Sequence, residues 1–149
     1  MDSIAAELRF VQIASELSRM AARHHVVVAP ESLNATETNV GNDLGILAEA
    51  LLEAGVGYTA DSYHVLRETN PGHEADWKSQ LPHPPAHVHV ADAERHFPSP
   101  EDPAVRAFAA RLRELGYDSR VSLECRWENL DAELPRALES LRTLFGSSS

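Results

Sequence analysis

Four times along the chain a short apolar run, rich in β-branched residues, ends in side chains able to hold a metal ion. The first, Val26 to Ala29, leads through Pro30 to Glu31, Asn34 and Glu37, and the second, Val56 to Ala60, leads to Asp61, Tyr63 and His64. The third, Ala86 to Asp92, carries His87, His89 and Asp92, with Glu94, Arg95 and His96 behind it. The fourth, Arg120 to Glu124, ends in a carboxylate. Short apolar runs bounded by turn residues are strand signals. Strands alternating with helical stretches imply a parallel sheet with right-handed crossovers. Ligands gather at the carboxyl ends of the strands in such sheets, and all of these polar residues lie there.

The helical stretches lie between the runs. Residues 2–24 place Ile4, Leu8, Val11, Leu17 and Met20 at intervals that suit a buried face. His24 and His25 close that helix, and their expected role is that of polar residues at a helix C-terminus. Asn42 or Asp43 caps a second helix through Leu44–Ala54, which Gly55 and Gly57 stop. Only a short helix is expected in the loop-rich stretch that follows, around Glu74 to Leu81. Asp102-Pro103 opens a helix with Val105, Phe108, Ala109, Leu112 and Leu115 on its apolar face, ended by Gly116. Leu130 to Phe145 forms the last helix, with Pro135 in its first turns or at a kink. The expected domain covers residues 1–145, and the tail 146–149 is expected to be disordered.

At 149 residues the chain holds one domain with a real core. Its net charge of −10 opposes general nucleic-acid binding, which needs a basic surface. No stretch approaches the roughly 20 apolar residues that span a bilayer. A single cysteine, Cys125, rules out an internal disulfide framework, and a reducing cytoplasm is the expected location. Cys125 is expected to point away from the strand ends as a small buried hydrophobe. Core or loop packing is the expected role of Trp77 and Trp127.

Glu31, Asp61, His89 and Glu124 are three carboxylates and one imidazole. Gathered at one mouth they would carry a large negative charge unless a cation sat among them. Hard oxygen donors with one nitrogen suit Mn²⁺ or Mg²⁺, with Co²⁺, Fe²⁺ or Zn²⁺ as further candidates. Such a cation can polarise a carbonyl and acidify the adjacent C–H, and two flanking carboxylates can remove and return the proton. Glu31 and Glu124, from the first and last strands, are placed to flank a substrate. His64 is expected either to contact substrate or to orient a ligand. His87 is expected on the face opposite His89, packed or structural.

These segments resemble the xylose isomerase-like TIM-barrel superfamily of sugar isomerases and epimerases. ESLNATE matches a Glu-x-x-Asn-Arg-x-Glu segment at Glu31, Asn34 and Glu37, and DSYH, Asp61 to His64, resembles Asp-Thr-Phe-His. HVHVADAER resembles a His-x-His stretch ending in Asn-Arg, and GYDSRVSLE a Gly-Tyr-Asp-Gly stretch before a strand ending in Glu. The resemblance implies an α/β fold, the C-terminal half of a (β/α)8 barrel with four parallel strands alternating with helices. It implies a metal-dependent isomerase or epimerase of a sugar, sugar phosphate or related polyol ketone. Glu31, Asp61, His89 and Glu124 would hold the metal, and Glu31 and Glu124 would be the catalytic acid/base pair. Glu37, His64 and Arg95 would contact substrate hydroxyls. Two departures stand out: Ala35 follows Asn34 where the family has arginine, and FPSPED follows His96 where a Pro-Gly-x-Gly loop is expected.

A full barrel needs about 250 residues and eight strands. Four strands leave two open edges and a barrel interior facing water. The sequence therefore leads to one of three expectations: self-association, pairing with a complementary N-terminal half chain, or a fragment of a full barrel, which alone would be an incomplete or non-catalytic remnant. An abasic-site endonuclease-like hydrolase shares the superfamily, but Glu94 and His96 lie too close to His89 to match its Asp-x-His pair.

Overall fold

The computed structural model describes residues 3–69 and 75–146. Six helices alternate with a parallel three-stranded sheet: α1 (Ser3–Ala22), α2 (Leu44–Glu53), β1 (Thr59–Asp61), α3 (Ser62–Glu68), α4 (Trp77–Gln80), β2 (His87–Val90), α5 (Pro103–Glu114), β3 (Val121–Leu123) and α6 (Leu130–Phe145). Strand order follows chain order, with Asp61 paired to His89 and His89 to Ser122. The partial-barrel α/β class expected from the sequence is the fold observed.

The first expected strand, Val26–Ala29, forms no ladder. It joins the sheet at one parallel bridge, Glu31 to Thr59. There the Thr59 N–H donates to Pro30 O at 2.8 Å, and its hydroxyl donates to Ala29 O at 2.9 Å. Pro30 has no N–H to donate, which removes one ladder bond. Val26 and Val27 are 56% and 77% exposed. This segment is a bare edge. The short helix is confined to Trp77–Gln80, and Glu74 lies outside the described residues, as do 147–149 of the expected tail.

Three helices end by one device, a residue with left-handed backbone followed at once by an extended segment. Gly55 has φ 69° and Gly116 φ 70°, and in each case the next N–H reaches back five residues, from Val56 to Leu51 and from Tyr117 to Leu112. His25 does the same for α1 with φ 57°, and the Val26 N–H donates to Ala21 O at 3.1 Å. This is the Schellman end, which favours glycine because a Cβ is crowded there. The His24-His25 pair is thus a helix stop.

Period-two alternation sorts the sheet. In β2, Val88 and Val90 are fully buried, whereas His87 and His89 are half-buried on the other face. The valines join one core with Leu44, Leu47 and Leu51 of α2 and Val105, Phe108 and Leu112 of α5. Trp77 packs on Phe108 with ring centroids 4.7 Å apart, so it belongs to this core. The helices cover one face of the sheet, and the other carries polar side chains. α2 and α4 touch so closely that a Cβ on Gly45 would sit 2.2 Å from Ser79 O.

Gly45→Ala is therefore expected to lower stability by about 1–3 kcal/mol, the usual cost of overpacking. His25→Gly should raise it by about 1 kcal/mol, since only backbone strain is removed. Thermal melts of both variants check the pair.

Candidate metal centre

Glu31, Asp61 and Glu124 are placed at or just past strand ends, and His89 within β2. Glu31 follows Pro30 at the bridge to Thr59. Asp61 closes β1 and caps α3, its Oδ1 accepting the Tyr63 N–H at 2.8 Å. His89 stands in mid-β2 beside Asp61 in register. Glu124 lies one residue past β3, its N–H donating to Val90 O at 3.3 Å. One ligand atom from each of these four residues comes within 4.8 Å of the others.

His89 Nδ1 is the hub, 3.1 Å from Glu31 Oε1 and 2.5 Å from Glu124 Oε2. Asp61 is 1% exposed, and its Oδ2 is buried with no hydrogen-bond partner among the described residues. Such an atom is costly unless something positive meets it. Burial, then the negative charges of Glu31 and Glu124, push the Asp61 carboxyl up to about 7 against the cap bond that lowers it. Burial also opposes charge on Glu31, but its hydrogen bond to His89 and that residue's charge outweigh burial and hold it below the usual carboxylate range. His89 is raised by the Glu31 bond against burial. A divalent cation fits this set: three carboxylates, one imidazole and an orphaned carboxylate oxygen.

A second ring of side chains braces the first. Asn34 is fully buried and donates to Glu37 Oε1 at 2.8 Å, and its backbone N–H donates to His64 Nδ1 at 3.1 Å. The Nδ1 of His64 is therefore an acceptor, and the proton of the neutral ring sits on Nε2, 3.8 Å from Asp61 Oδ2. Burial lowers the His64 pKa, in keeping with a neutral ring. Arg95 pairs closely with Glu124 Oε1, reaches Glu37 at 3.8 Å and lies 4.8 Å over the Tyr63 ring. Its backbone is left-handed at φ 67°, a strained state held by the Arg95 N–H bond to Asp92 O and the Arg126 N–H bond to Arg95 O. Ser62 ties the end of β1 to the end of β2, donating to Ala91 O at 2.7 Å.

The structure brings Glu31, Asp61, His89 and Glu124 into one cluster, with Glu37, His64 and Arg95 beside it. It leaves out Glu94 and His96, and His96 Nδ1 faces Asp92, at 3.6 Å. Cys125 is half-buried against Val90 O, its thiol pushed by burial up to about 12. His87 corrects an expectation. It lies on the same face as His89, the ring centroids 5.0 Å apart, and its Nε2 is 3.0 Å from Ser122 Oγ. Residues two apart on a strand share a face, so the expected opposition had the period wrong. Asn34 was visible in its motif, but its part in joining Glu37 to His64 was not. The ring of Tyr63 under Arg95 had no signal in the sequence.

The sequence model of the family described as xylose isomerase-like TIM barrel matches residues 3–144. No curated protein matches the sequence. Among solved structures, a D-psicose 3-epimerase in the presence of D-fructose superposes with a TM-score of 0.80 at 18% identity, over 99% of this chain and 59% of that one. A second, from Clostridium cellulolyticum H10 with D-tagatose, gives 0.79 at 17% identity over the same shares. The 3-keto-D-glucoside 4-epimerase of E. coli gives 0.63 at 24%, over 89% of this chain and 53% of that one. The likeness is one of fold, and the chain spans little more than half the length of these enzymes.

Protons on Asp61 and His89 compete with a cation for the same atoms. Through Asp61 the apparent affinity for Mn²⁺ is expected to rise by about tenfold per pH unit up to about 7, and loss of the His89 proton adds to that rise. In the metal-free chain the sign reverses. The folded state keeps the Asp61 proton that the unfolded chain releases from about pH 4 upward, so stability falls as pH rises to about 7. Asp61→Asn should flatten that fall and weaken Mn²⁺ binding, which calorimetry and melts across pH would show.

Proposed function

From the premise that the chain belongs to the xylose isomerase-like TIM-barrel family, we propose that it carries the reaction centre of a divalent-metal-dependent sugar isomerase or epimerase. The observation that carries this reading is the convergence of Glu31, Asp61, His89 and Glu124 within 4.8 Å, with the Asp61 Oδ2 lacking a partner. These four would hold the cation, with Mn²⁺ or Mg²⁺ the best match to the donors and Co²⁺, Fe²⁺ or Zn²⁺ also able to fit. When bound, the cation would polarise a substrate carbonyl and acidify the neighbouring C–H.

Glu31 and Glu124 approach His89 from the two ends of the sheet, so one carboxylate would take the proton from carbon and the other would return it. The lowered pKa of Glu31 leaves it ionised near neutral pH, ready to accept a proton. Arg95 orients Glu124 through its close ion pair, and with Glu37 it would hold substrate hydroxyls. His64 would add a single N–H at Nε2, its other ring nitrogen being engaged by Asn34. The epimerase folds to which this chain is similar support a ketose as substrate. Among the described residues no helix is long and apolar enough to cross a membrane, and one lone cysteine suits a reducing cytoplasm.

A second reading has its own observation. The chain spans 59% of the D-psicose 3-epimerase chains, and its three laddered strands with the bridged Glu31 segment make only part of a barrel wall. On that reading the chain holds metal and protons but needs another wall to enclose a sugar, and alone it would be a non-catalytic remnant.

Ketohexoses such as D-fructose and D-tagatose, incubated with the Mn²⁺-loaded chain in D₂O, are the direct assay. Deuterium is expected at the epimerised carbon. Glu124→Gln should cut turnover by about 10²–10⁴-fold. Metal binding without exchange for any ketose would favour the remnant, and a chain that takes up no metal would defeat both readings.

A further inference from the structure

The loop between Glu31 and α2 holds Asn34, which is fully buried and has every polar atom engaged. Its Oδ1 accepts the Thr36 N–H at 3.1 Å and the Thr36 hydroxyl. A backbone N–H can only donate, so the amide oxygen must lie on that side and the amino group on the other. The amino group is 2.8 Å from Glu37 Oε1 and 2.9 Å from His64 Nδ1. A carboxylate only accepts, so the orientation of the amide is fixed from both sides. The Asn34 backbone N–H, 3.1 Å from the same Nδ1, adds a second donor to one imidazole lone pair.

The loop around it is closed without a side-chain bond from Ala35. Ser32 Oγ donates to Gly41 O at 2.6 Å, and Asn42 Nδ2 bridges Leu33 O at 2.7 Å and Thr38 O at 3.0 Å. The Glu68 carboxylate accepts the Ala35 N–H. The Glu37 and Thr38 N–H groups return to Asn34 O at 2.9 and 3.2 Å. The amide plane of Asn34 is thus held by groups that the loop itself fixes.

We propose that Asn34 is a positioning residue that sets the hydrogen-bond polarity of two groups beside the metal centre. It holds His64 as a donor through Nε2, 3.8 Å from Asp61 Oδ2, and Glu37 as an acceptor. Being fully buried, Asn34 acts through these two side chains. The inference rests on the reading of this mouth as a sugar site, where that polarity becomes a filter. A substrate oxygen that can accept meets the Nε2–H, and a hydroxyl that can donate meets Glu37. A carbonyl or ether oxygen set against Glu37 would leave two acceptors face to face, a mismatch that costs affinity. Polyols with a free hydroxyl at that position are therefore selected over their oxidised or O-alkylated analogues.

The test is ¹⁵N NMR of the His64 ring in the metal-free chain, at about pH 8, where an ordinary imidazole is neutral. The proton is expected on Nε2 with Nδ1 bare. Glu37→Gln should leave that pattern unchanged, because the new amide oxygen still accepts from Asn34. Adding Asn34→Asp to Glu37→Gln inverts the polarity without setting two carboxylates together. The carboxylate that replaces the amide can only accept, so the ring proton is expected at Nδ1, a charge-assisted bond outcompeting the backbone N–H. An asparagine with a merely structural role would loosen the fold on replacement without moving that proton. A wild-type ring protonated at Nδ1 would overturn the proposal, and so would a folded double variant that keeps Nδ1 bare. In turnover of D-fructose by the Mn²⁺-loaded chain, Asn34→Ala should raise KM about tenfold or more at little cost to kcat, and an unchanged KM would also overturn it. Absence of turnover in the wild-type chain would sink the reaction reading alone, since the ring nitrogens report without metal or substrate.

Discussion

Asp61 links backbone and site through one carboxylate. Its Oδ1 caps α3, which turns the chain back from the sheet, and its Oδ2 is left buried and unpartnered among Glu31, His89 and Glu124. The two roles depend on each other. A side chain free to swing would expose Oδ2 to water and relieve the crowding. The cap bond fixes it in place, so the negative charge around it must be met by protons or by a cation. The neighbouring groups follow from this demand: Glu31 leans on His89, Glu124 on Arg95, and Arg95 accepts a strained backbone to stay there.

The sheet makes the convergence possible. Parallel register puts Asp61 beside His89, and the same alternation sends Val88 and Val90 into the helices' core. One face of each strand therefore stabilises the fold while the other is free to be polar. His87 and Ser122 extend that polar face one layer below the cluster, which shows that the inner wall is not built as a simple apolar plug. The cost of the design is at its margins. An inner wall and two edges that a whole barrel would enclose are open here, and Val27 is the most exposed large apolar side chain of the edge segment.

Much of this was legible along the chain. Gly55 and Gly116 announced helix ends, and Asp102-Pro103 announced a helix start. Glu31, Asp61 and Glu124 were visible because each stands where an apolar run stops, and His89 because it stands in a His-x-His stretch. His25 was harder to read, since the left-handed stop of α1 falls on a residue that does not advertise that backbone. The expected ladder at Val26–Ala29 shrank to one bridge because pairing depends on a neighbour, and local β-propensity does not supply one. His87 shares the face of His89 because residues two apart on a strand point the same way, a rule the sequence alone supplies.

The sequence by itself determined the alternation of helices and strands, the placement of metal-capable residues at strand ends, and the stops that return each helix to the sheet. Those properties are local, set by side-chain period and by turn chemistry within a few residues. Only the tertiary structure decided that Asp61 Oδ2 lacks a partner and that Asn34 joins His64 to Glu37. Each of these depends on the distance between residues about 30 or more apart in the chain, and a one-dimensional pattern carries no such distance.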